Sequence, residues 1–274
     1  MTDANDELLV EHHEKVAWVY FNRPKKGNAV HPHLLESMGA TLRELALDPQ
    51  VRCVVLAAKG SMFCSGIDLT ALQDVAEMDE GDLAPHRRAN LLLHVQPWQD
   101  AVDAIERCRK PVIAAVQGAC IGAGLDLVAA ADIRLASADA FFSLREAAMA
   151  MVSDLGSLQR LPHIIGQGLT REMAFTARDV SAEEALRMHL VNRVVPNHEQ
   201  LAEQARQLAE DIARQPSLAV QASKDVLNRS RGMSVQDGMH YALVRNSAIL
   251  PSADLRDALT AFRQKRQPAT PSRE

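Results

Sequence analysis

The stretch from Lys110 to Asp132 reads KPVIAAVQGACIGAGLDLVAAAD. It contains Val112 to Val116, a short apolar run that predicts a buried strand. Glycines follow at Gly118, Gly122 and Gly124. They precede a second apolar run that predicts a helix, and glycine in such a turn lets backbone N–H groups approach a ligand closely. Because a helix start carries a partial positive charge, this unit is suited to binding an oxygen atom of a ligand.

The same arrangement occurs earlier, in VRCVVLAAKGSMFCSGIDLTAL from Val51 to Leu72. Here a strand is followed by a loop, and Ser65 and Gly66 are expected to open a helix. If the two turns meet in space, they present two N–H donors to one oxygen atom, which is the geometry of an oxyanion hole. For either turn alone, glycines that only allow tight packing are the alternative. The glycine spacing does not fit G-x-G-x-x-G, so dinucleotide binding is disfavoured.

Strands and helices alternate along the chain up to about residue 195. The predicted strands cover Val16–Phe21, Val51–Ala58, Val112–Val116, Ile133–Ala136 and Val191–Val195. The predicted helices cover His33–Ala46 and Asn90–Cys108, and Ser181 starts a short capping-box helix that runs to Met188. This alternation favours an α/β core. The polar segment from Val75 to Arg88 contains glycine and proline and is expected to be mobile.

From residue 198 onwards the pattern is helical throughout. Four amphipathic segments follow one another, and Ser252 is the expected N-cap of the last one. We therefore expect residues 1–197 to form the core with the active site and residues 198–274 to form a separate helical region. Such a region is suited to contacting a neighbouring subunit or covering a site.

The composition disfavours several classes of partner. The chain has 274 residues, 47% of them hydrophobic, and a net charge of −5 without a dense basic stripe, which speaks against nucleic acid. No apolar run approaches the ~18 residues of a membrane span, so no membrane partner is expected. The four cysteines lack metal-type spacing and are expected to be reduced, and no metal site is predicted. Neither end carries a targeting pattern, so the expected location is the cytoplasm.

Several motifs together resemble the crotonase (enoyl-CoA hydratase/isomerase) superfamily, over a range from about Val16 to Pro268. They are Asn22-Arg23-Pro24 with Asn28-Ala29, FCSGIDL from Phe63 to Leu69, the stretch from Lys110 to Asp132, QRLP from Gln159 to Pro162, and AFRQKRQP from Ala261 to Pro268. The resemblance implies a ββα spiral core, a C-terminal helical trimerisation region, and a homo-trimer or a hexamer made of two trimers. It also implies a coenzyme A thioester as substrate, with no permanently bound cofactor.

The resemblance also implies binding roles for particular residues. The oxyanion hole would use the backbone N–H groups of Ser65 and Ala123, the second of which is often glycine in the family. The implied coenzyme A contacts are Lys25, Lys26, Ile67, Leu69, Phe262 and Lys265. The last two would reach the ligand of a neighbouring subunit.

Three acids indicate which reaction of the superfamily the chain resembles. The two glutamates of the family's hydratases correspond to Asp126 and Glu146, and a third acid, Asp154, follows eight positions after Glu146. This set of three acids resembles that of the Δ3,5-Δ2,4-dienoyl-CoA isomerases. The resemblance implies that Glu146 and Asp154 are the acid/base pair and that Asp126 is a supporting acid. Taken alone, each acid also has a structural interpretation. Asp154 suits a helix N-cap, Asp126 suits a first helical turn, and Glu146 suits an ion pair with Arg145.

The chemistry explains why two carboxyl groups would be needed. Moving a 3,5-diene into conjugation with a thioester requires removal of a proton from C2 and delivery of one to C6. Two carboxyl groups along an apolar slot suit this task, provided that one is ionised and the other protonated. The seven uncharged residues between Glu146 and Asp154 are expected to line the slot and to raise both carboxyl pKa values by desolvation. Which carboxyl serves C2 stays open.

Two other functions are alternatives. A 2-enoyl-CoA hydratase of fatty-acid β-oxidation would keep the fold and use Asp126 and Glu146, and Asp154 would then be dispensable. A non-enzymatic RNA binder is the other, and the net charge of −5 speaks against it.

Overall fold

The computed structural model describes residues 7–72 and 85–264 of the chain. Most of the segment that is predicted to be mobile, Val75 to Arg88, lies outside these residues, and so does Lys265. Within the described ranges, none of the helices combines the length and the apolar character that a membrane crossing would need.

Within the described residues, two sheets form the core of the fold. The strands are β1 (Leu8–His13), β2 (Val16–Phe21), β3 (Cys53–Ala58), β4 (Val112–Val116), β5 (Ala119–Ile121), β6 (Ile133–Ser137), β7 (Phe141–Ser143), β8 (Val180–Ser181) and β9 (Arg193–Val195). Six of them form one sheet in the order β1-β2-β3-β4-β6-β9, and β5, β7 and β8 form the second. In the larger sheet β1 is antiparallel to β2, and the other neighbours are parallel. All five predicted strands are present, whereas the sequence reasoning missed β1, β5, β7 and β8.

Helices connect and cover these strands. They are α1 (Pro32–Leu47), α2 (Pro85–Arg107), α3 (Ala123–Ala130), α4 (Ser157–Ile164), α5 (Gly166–Thr176), α6 (Ala182–Arg187), α7 (His198–Ala213), α8 (Ser217–Ser230), α9 (Val235–Ser247) and α10 (Ala253–Arg263). Ser181 caps α6 by accepting from the Glu184 N–H at 3.3 Å, and Ser252 caps α10 by accepting from the Leu255 N–H at 3.1 Å. Both predicted caps are therefore confirmed.

The strands β2, β3 and β4 in the middle of the larger sheet are buried on both faces, which is why they are apolar along their whole length. One face packs into the main core with α1, α2 and α3. The other packs against α7, whose Leu201, Ala205 and Ala209 lie against Trp18 and Val55. The predicted division at residue 197 assigns α7 to the helical region, but its packing makes it a layer of the core. The helices that extend away from the sheet begin with α8.

Lys224 on α8 attaches the last helices to the core. Its Nζ donates to Asp132 Oδ2 at 2.6 Å and to the carbonyl oxygens of Ile105 and Lys110 at 3.3 and 3.1 Å. Asp132 also accepts from the Val112 N–H at 2.7 Å, and burial raises the pKa of its carboxyl group. The Lys224 side chain is only 7% exposed, so the ion pair is largely removed from water.

Lys224→Met is expected to lower the free energy of unfolding by about 3 kcal/mol, because the Asp132 carboxylate stays buried without its cation. Denaturant titration of the variant measures this loss. The double variant Lys224→Met/Asp132→Asn removes both charges and is expected to lose less stability than the two single variants added together. Strictly additive losses would contradict the pairing.

Candidate active site

The two glycine turns meet in space, which is the condition for them to share an oxygen atom of a ligand. The Cys64 N–H donates to the Ala119 carbonyl, and the Ile121 N–H donates to the Cys64 carbonyl, both at 3.0 Å. A side chain at Gly124 would lie 2.8 Å from Cys64 Cβ, so this glycine is needed for the close packing of the two turns. The second turn opens α3 as predicted, with Gly122 as the N-cap at a φ of 52°.

The helix predicted to open at Ser65 and Gly66 is wrong. The Val30 N–H donates to the Gly66 carbonyl at 2.8 Å, and the Asp68 N–H donates to the Val30 carbonyl at 2.6 Å. These two bonds form a parallel bridge between Val30 and Ile67 and keep the segment extended. A 3-10 helix begins only at Leu69, so no helix dipole acts at Ser65.

Of the two N–H groups predicted to form the oxyanion hole, one belongs to a cavity residue and the other does not. Ala123 is the first residue of α3, where the helix itself provides no acceptor for its N–H group, and it lines a cavity. The Ser65 N–H instead donates to the Gly27 carbonyl at 2.9 Å. Ser65 is exposed and does not line the cavity.

This cavity, of about 370 Å³, brings the three predicted acids together. Its other described lining residues are apolar: Ile67, Ala71, Val95, Trp98, Ala123, Met151, Val152 and Leu155. The sequence reasoning gave Val95 and Trp98 no role. They belong to α2. Because they are three positions apart on a helix that the sequence predicts, the sequence does indicate that they share a helix face.

Asp126 is the most buried of the acids, with 1% of its surface exposed. It accepts hydrogen bonds at Oδ1 from the Ser157 N–H at 2.6 Å and from the Ser153 hydroxyl at 3.3 Å. The pKa of Asp126 is raised to about 7, mainly by burial and also by the nearby Glu146 carboxyl, against the opposite effect of the hydrogen bonds from Ser157 and Ser153. Hydrogen bonds therefore fix the position of the Asp126 carboxyl group, and its raised pKa lets it change protonation state near neutral pH.

Glu146 begins a 3-10 helix, Glu146–Met149, and points into the cavity. Its Oε2 is buried and has no hydrogen-bond partner among the described residues. Burial raises its pKa, with a smaller contribution from the charge of Asp154. The pairing with Arg145 does not occur, because Arg145 forms its ion pair with Asp179. Glu146 is therefore available for chemistry in the cavity.

Asp154 lies at the more exposed side of the cavity. It is not a helix cap, since α4 has Gly156 at its N-cap position and no side chain accepts a capping hydrogen bond there. Partial burial raises the pKa of its carboxyl group. Gln99 on α2 donates from Nε2 to the Asp154 carbonyl at 2.6 Å and fixes the backbone at this position. The sequence reasoning missed Gln99, which lies 55 positions away along the chain.

The uncharged run between Glu146 and Asp154 lines the cavity only in part. Met151 and Val152 contribute to the wall, whereas residues 147–150 are exposed in this chain. The expectation that the whole run lines the slot is therefore wrong. The 3-10 helix directs residues 147–150 outwards, and α2 and Leu155 supply the missing apolar surface.

The described residues among the predicted coenzyme A contacts lie at different positions relative to the cavity. Lys25 and Lys26 lie in an exposed 3-10 helix, Pro24–Lys26, next to Gly27, which binds the Ser65 N–H. Ile67 lines the cavity, and Leu69 is exposed beside it. Phe262 on α10 is 83% exposed and is not among the cavity residues.

A cavity with apolar walls, titratable carboxyl groups and the N–H group of a helix's first residue is suited to an enzyme that moves protons on a bound substrate. Comparison with known proteins identifies the family. The sequence profile of the Enoyl-CoA hydratase/isomerase family matches residues 11–272, and the chain belongs to this family. The crotonase resemblance seen in the sequence is thereby confirmed.

Individual relatives agree with this assignment. The chain is 42% identical to the peroxisomal Delta(3,5)-Delta(2,4)-dienoyl-CoA isomerase of Arabidopsis thaliana, over 90% of this chain and 89% of the relative. It is 37% identical to the mitochondrial enzyme of the same name from Dictyostelium discoideum, over 92% of this chain and 86% of the relative. The crystal structure of enoyl-CoA hydratase from Bacillus anthracis superposes with a TM-score of 0.87 at 29% identity, covering 96% of this chain and 98% of that one. The predicted α/β crotonase fold with a C-terminal helical region is therefore confirmed.

The prediction of a cytoplasmic location is wrong by the same comparison. The relatives are named as a peroxisomal and a mitochondrial protein. Composition and the absence of a recognised targeting pattern were not sufficient evidence for a compartment.

Proposed function

We propose that this enzyme converts 3,5-dienoyl-CoA thioesters to 2,4-dienoyl-CoA thioesters. The observation that carries the proposal is the placement of Asp154. Its carboxyl group faces the same cavity as Glu146 and is engaged neither as a helix cap nor, among the described residues, in an ion pair. The names of the two isomerase relatives support the same reaction.

Glu146 and Asp154 are the proposed acid/base pair. One carboxylate removes a proton from C2 of the acyl group, which leaves an extended dienolate, and the other carboxyl delivers a proton to C6. The first group ends protonated and the second ionised, so exchange of protons with water restores the starting state. Burial raises the pKa of both groups, which brings them towards the working pH range in which one of each form can coexist. Asp126 is proposed to support Glu146.

The thioester oxygen is proposed to bind at the Ala123 N–H, at the start of α3. Ser65 is the proposed second donor, and its N–H would have to exchange the Gly27 carbonyl for the thioester oxygen. Lys25, Lys26, Ile67 and Leu69 are proposed to contact the coenzyme A part. Phe262 and Lys265 are proposed to reach the ligand of a neighbouring subunit. No further cofactor is needed by this chemistry.

An assay of the purified protein tests the reaction directly. A 3,5-dienoyl-CoA is mixed with the enzyme, and formation of the conjugated 2,4-dienoyl product is followed by its absorbance. The proposal requires catalysed formation of the diene chromophore. Loss of the absorbance of crotonyl-CoA at a high rate, without isomerisation of the diene, would instead show a 2-enoyl-CoA hydratase.

The hydratase is the second candidate because Asp126 and Glu146 lie together, as its chemistry requires. The hydrogen bonds to Asp126 speak against it. Ser157 and Ser153 both donate to Oδ1, and the group is almost fully buried, so it is less accessible to a substrate water than Asp154.

We also propose that the last helices form the interface of a trimer, alone or within a hexamer. They carry large apolar side chains that are exposed in the single chain: Leu227 on α8, and Val235, Met239 and Leu243 on α9. Val235, Met239 and Leu243 are four positions apart and therefore share one face of α9, and an exposed apolar face is typical of a subunit interface.

Leu243→Asp is expected to shift the protein towards the monomer, because the new carboxylate would have to be buried at the interface. Light scattering coupled to size-exclusion chromatography measures the mass. Leu47→Asp on α1, an equally drastic change at an exposed leucine outside the helical region, serves as the control and should leave the mass unchanged. Equal masses for Leu243→Asp and the unaltered protein would contradict the proposed interface.

A further inference from the structure

Ser153 lies between the carboxyl groups of the cavity. It is 6% exposed and immediately precedes Asp154 in the chain. Its hydroxyl donates to Asp126 Oδ1 at 3.3 Å, across a sequence separation of 27 positions. This distance is longer than the ~2.8 Å of a well-aligned hydroxyl bond, so the hydroxyl is not fully committed to Asp126.

The same hydroxyl also acts on Glu146. Ser153 lowers the pKa of the Glu146 carboxyl, against the larger effect of burial, although in this conformation its hydroxyl donates to Asp126 rather than to Glu146. Glu146 Oε2 has no hydrogen-bond partner among the described residues. A serine hydroxyl has a single proton to donate, so Asp126 and Glu146 compete for it.

The other charged groups around the two acids do not replace this donor. The described cavity residues include no basic side chain, and Asp154 is the only further acid among them. The thiols of Cys64 and Cys120 lie near Asp126, and burial raises the pKa of both, which keeps them neutral. Arg160, the nearest cation along α4, is held by Asp103 and Glu106 of α2 at 2.5 and 2.6 Å.

We propose that Ser153 is a positioning residue that couples Asp126 to Glu146 by directing its one hydroxyl proton to whichever of them is ionised. When Asp126 is protonated, the hydroxyl turns to the Glu146 carboxylate and stabilises its charge. When Asp126 loses its proton, the hydroxyl returns to Asp126, and Glu146 becomes harder to ionise. Only hydrogen bonds change in this step, and no covalent bond is formed or broken. The inference rests on the proposed role of Glu146 in proton transfer and adds a residue that sets when Glu146 is charged.

The pH dependence of kcat/KM tests the coupling. Because a hydrogen bond to a carboxylate lowers its pKa, Ser153→Ala raises the pKa of Glu146. The limb of the profile that belongs to Glu146 is expected to move to higher pH by about 0.5–1 unit. Ser153→Thr keeps a hydroxyl and should return the limb towards its original position. Ser143→Ala is the matched control, since it removes a buried hydroxyl that donates to the Ala177 carbonyl at 3.0 Å, outside the cavity.

A second measurement does not depend on turnover. Carboxyl carbons of ¹³C-labelled protein are titrated by NMR, with Asp126→Asn used to assign the Asp126 signal. The apparent pKa of Asp126, about 7 in the unaltered chain, is expected to rise in Ser153→Ala and to stay in place in Ser143→Ala. An unchanged titration in Ser153→Ala overturns the inference. A shifted titration in a protein that does not isomerise dienoyl-CoA would instead overturn the proposed function and leave the coupling intact.

Discussion

Asp154→Asn is expected to lower kcat for a 3,5-dienoyl-CoA by about 10²–10⁴-fold. Asparagine has nearly the same shape as aspartate, but it neither accepts nor delivers the required proton at the working pH. The fold should be unaffected, because α4 is capped at Gly156 and because Gln99 binds the backbone carbonyl of residue 154 rather than its side chain. Steady-state kinetics measure the effect, and KM should change little because the lost interaction belongs to the transition state.

Asp179→Asn is a suitable control for this experiment. Asp179 is an exposed acid that pairs with Arg145, directly before Glu146. Exposed ion pairs contribute little, so kcat should stay within about twofold. If Asp154→Asn retained more than a tenth of the activity, the isomerase proposal would fail. A hydratase, in which Asp154 is dispensable, would then be favoured.

Much of the fold could be predicted from local patterns. The strands Val16–Phe21 and Val112–Val116 have the predicted bounds, because a strand buried on both faces is apolar along its whole length. The failed helix at Ser65 shows the limit of this reasoning. Val30, which is distant in sequence, supplies the backbone partners that hold the segment extended. Strands of two or three residues such as β7 and β8 likewise exist only through their pairing.

That the three acids lie together was predictable, whereas the residues around them were much less so. The resemblance identified Asp126, Glu146 and Asp154, and the structure places all three in one cavity. The residues that contact them were missed because they are distant in sequence from the acids that they contact. Gln99 is one example, and the contact between Ser153 and Asp126 is another. Neither contact follows from spacing along the chain, since each depends on how α2 and α3 pack beside the residues before α4.

Ala123→Pro is expected to lower kcat/KM by about 10²–10³-fold. Proline has no N–H group, so the substitution removes the donor proposed for the thioester oxygen. Ala123 is the first residue of α3, a position that proline occupies readily in helices. The preceding Gly122 has φ 52° and ψ −118°, a backbone conformation that glycine tolerates in front of the ring. Helix α3 should therefore still form, and circular dichroism and thermal unfolding check this.

Ala123→Ser is the matched control, because it adds an atom to the side chain and keeps the N–H group. It should retain most of the activity if the backbone donor is what matters. A non-reacting acyl-CoA without the diene should bind Ala123→Pro with less than a tenfold loss, since the ground-state carbonyl depends on the donor less than the dienolate does. Equal kcat/KM values for the proline and serine variants would show that the Ala123 N–H does not stabilise the negatively charged oxygen of the dienolate. The Ser65 N–H, released from Gly27, would then be the donor to test next.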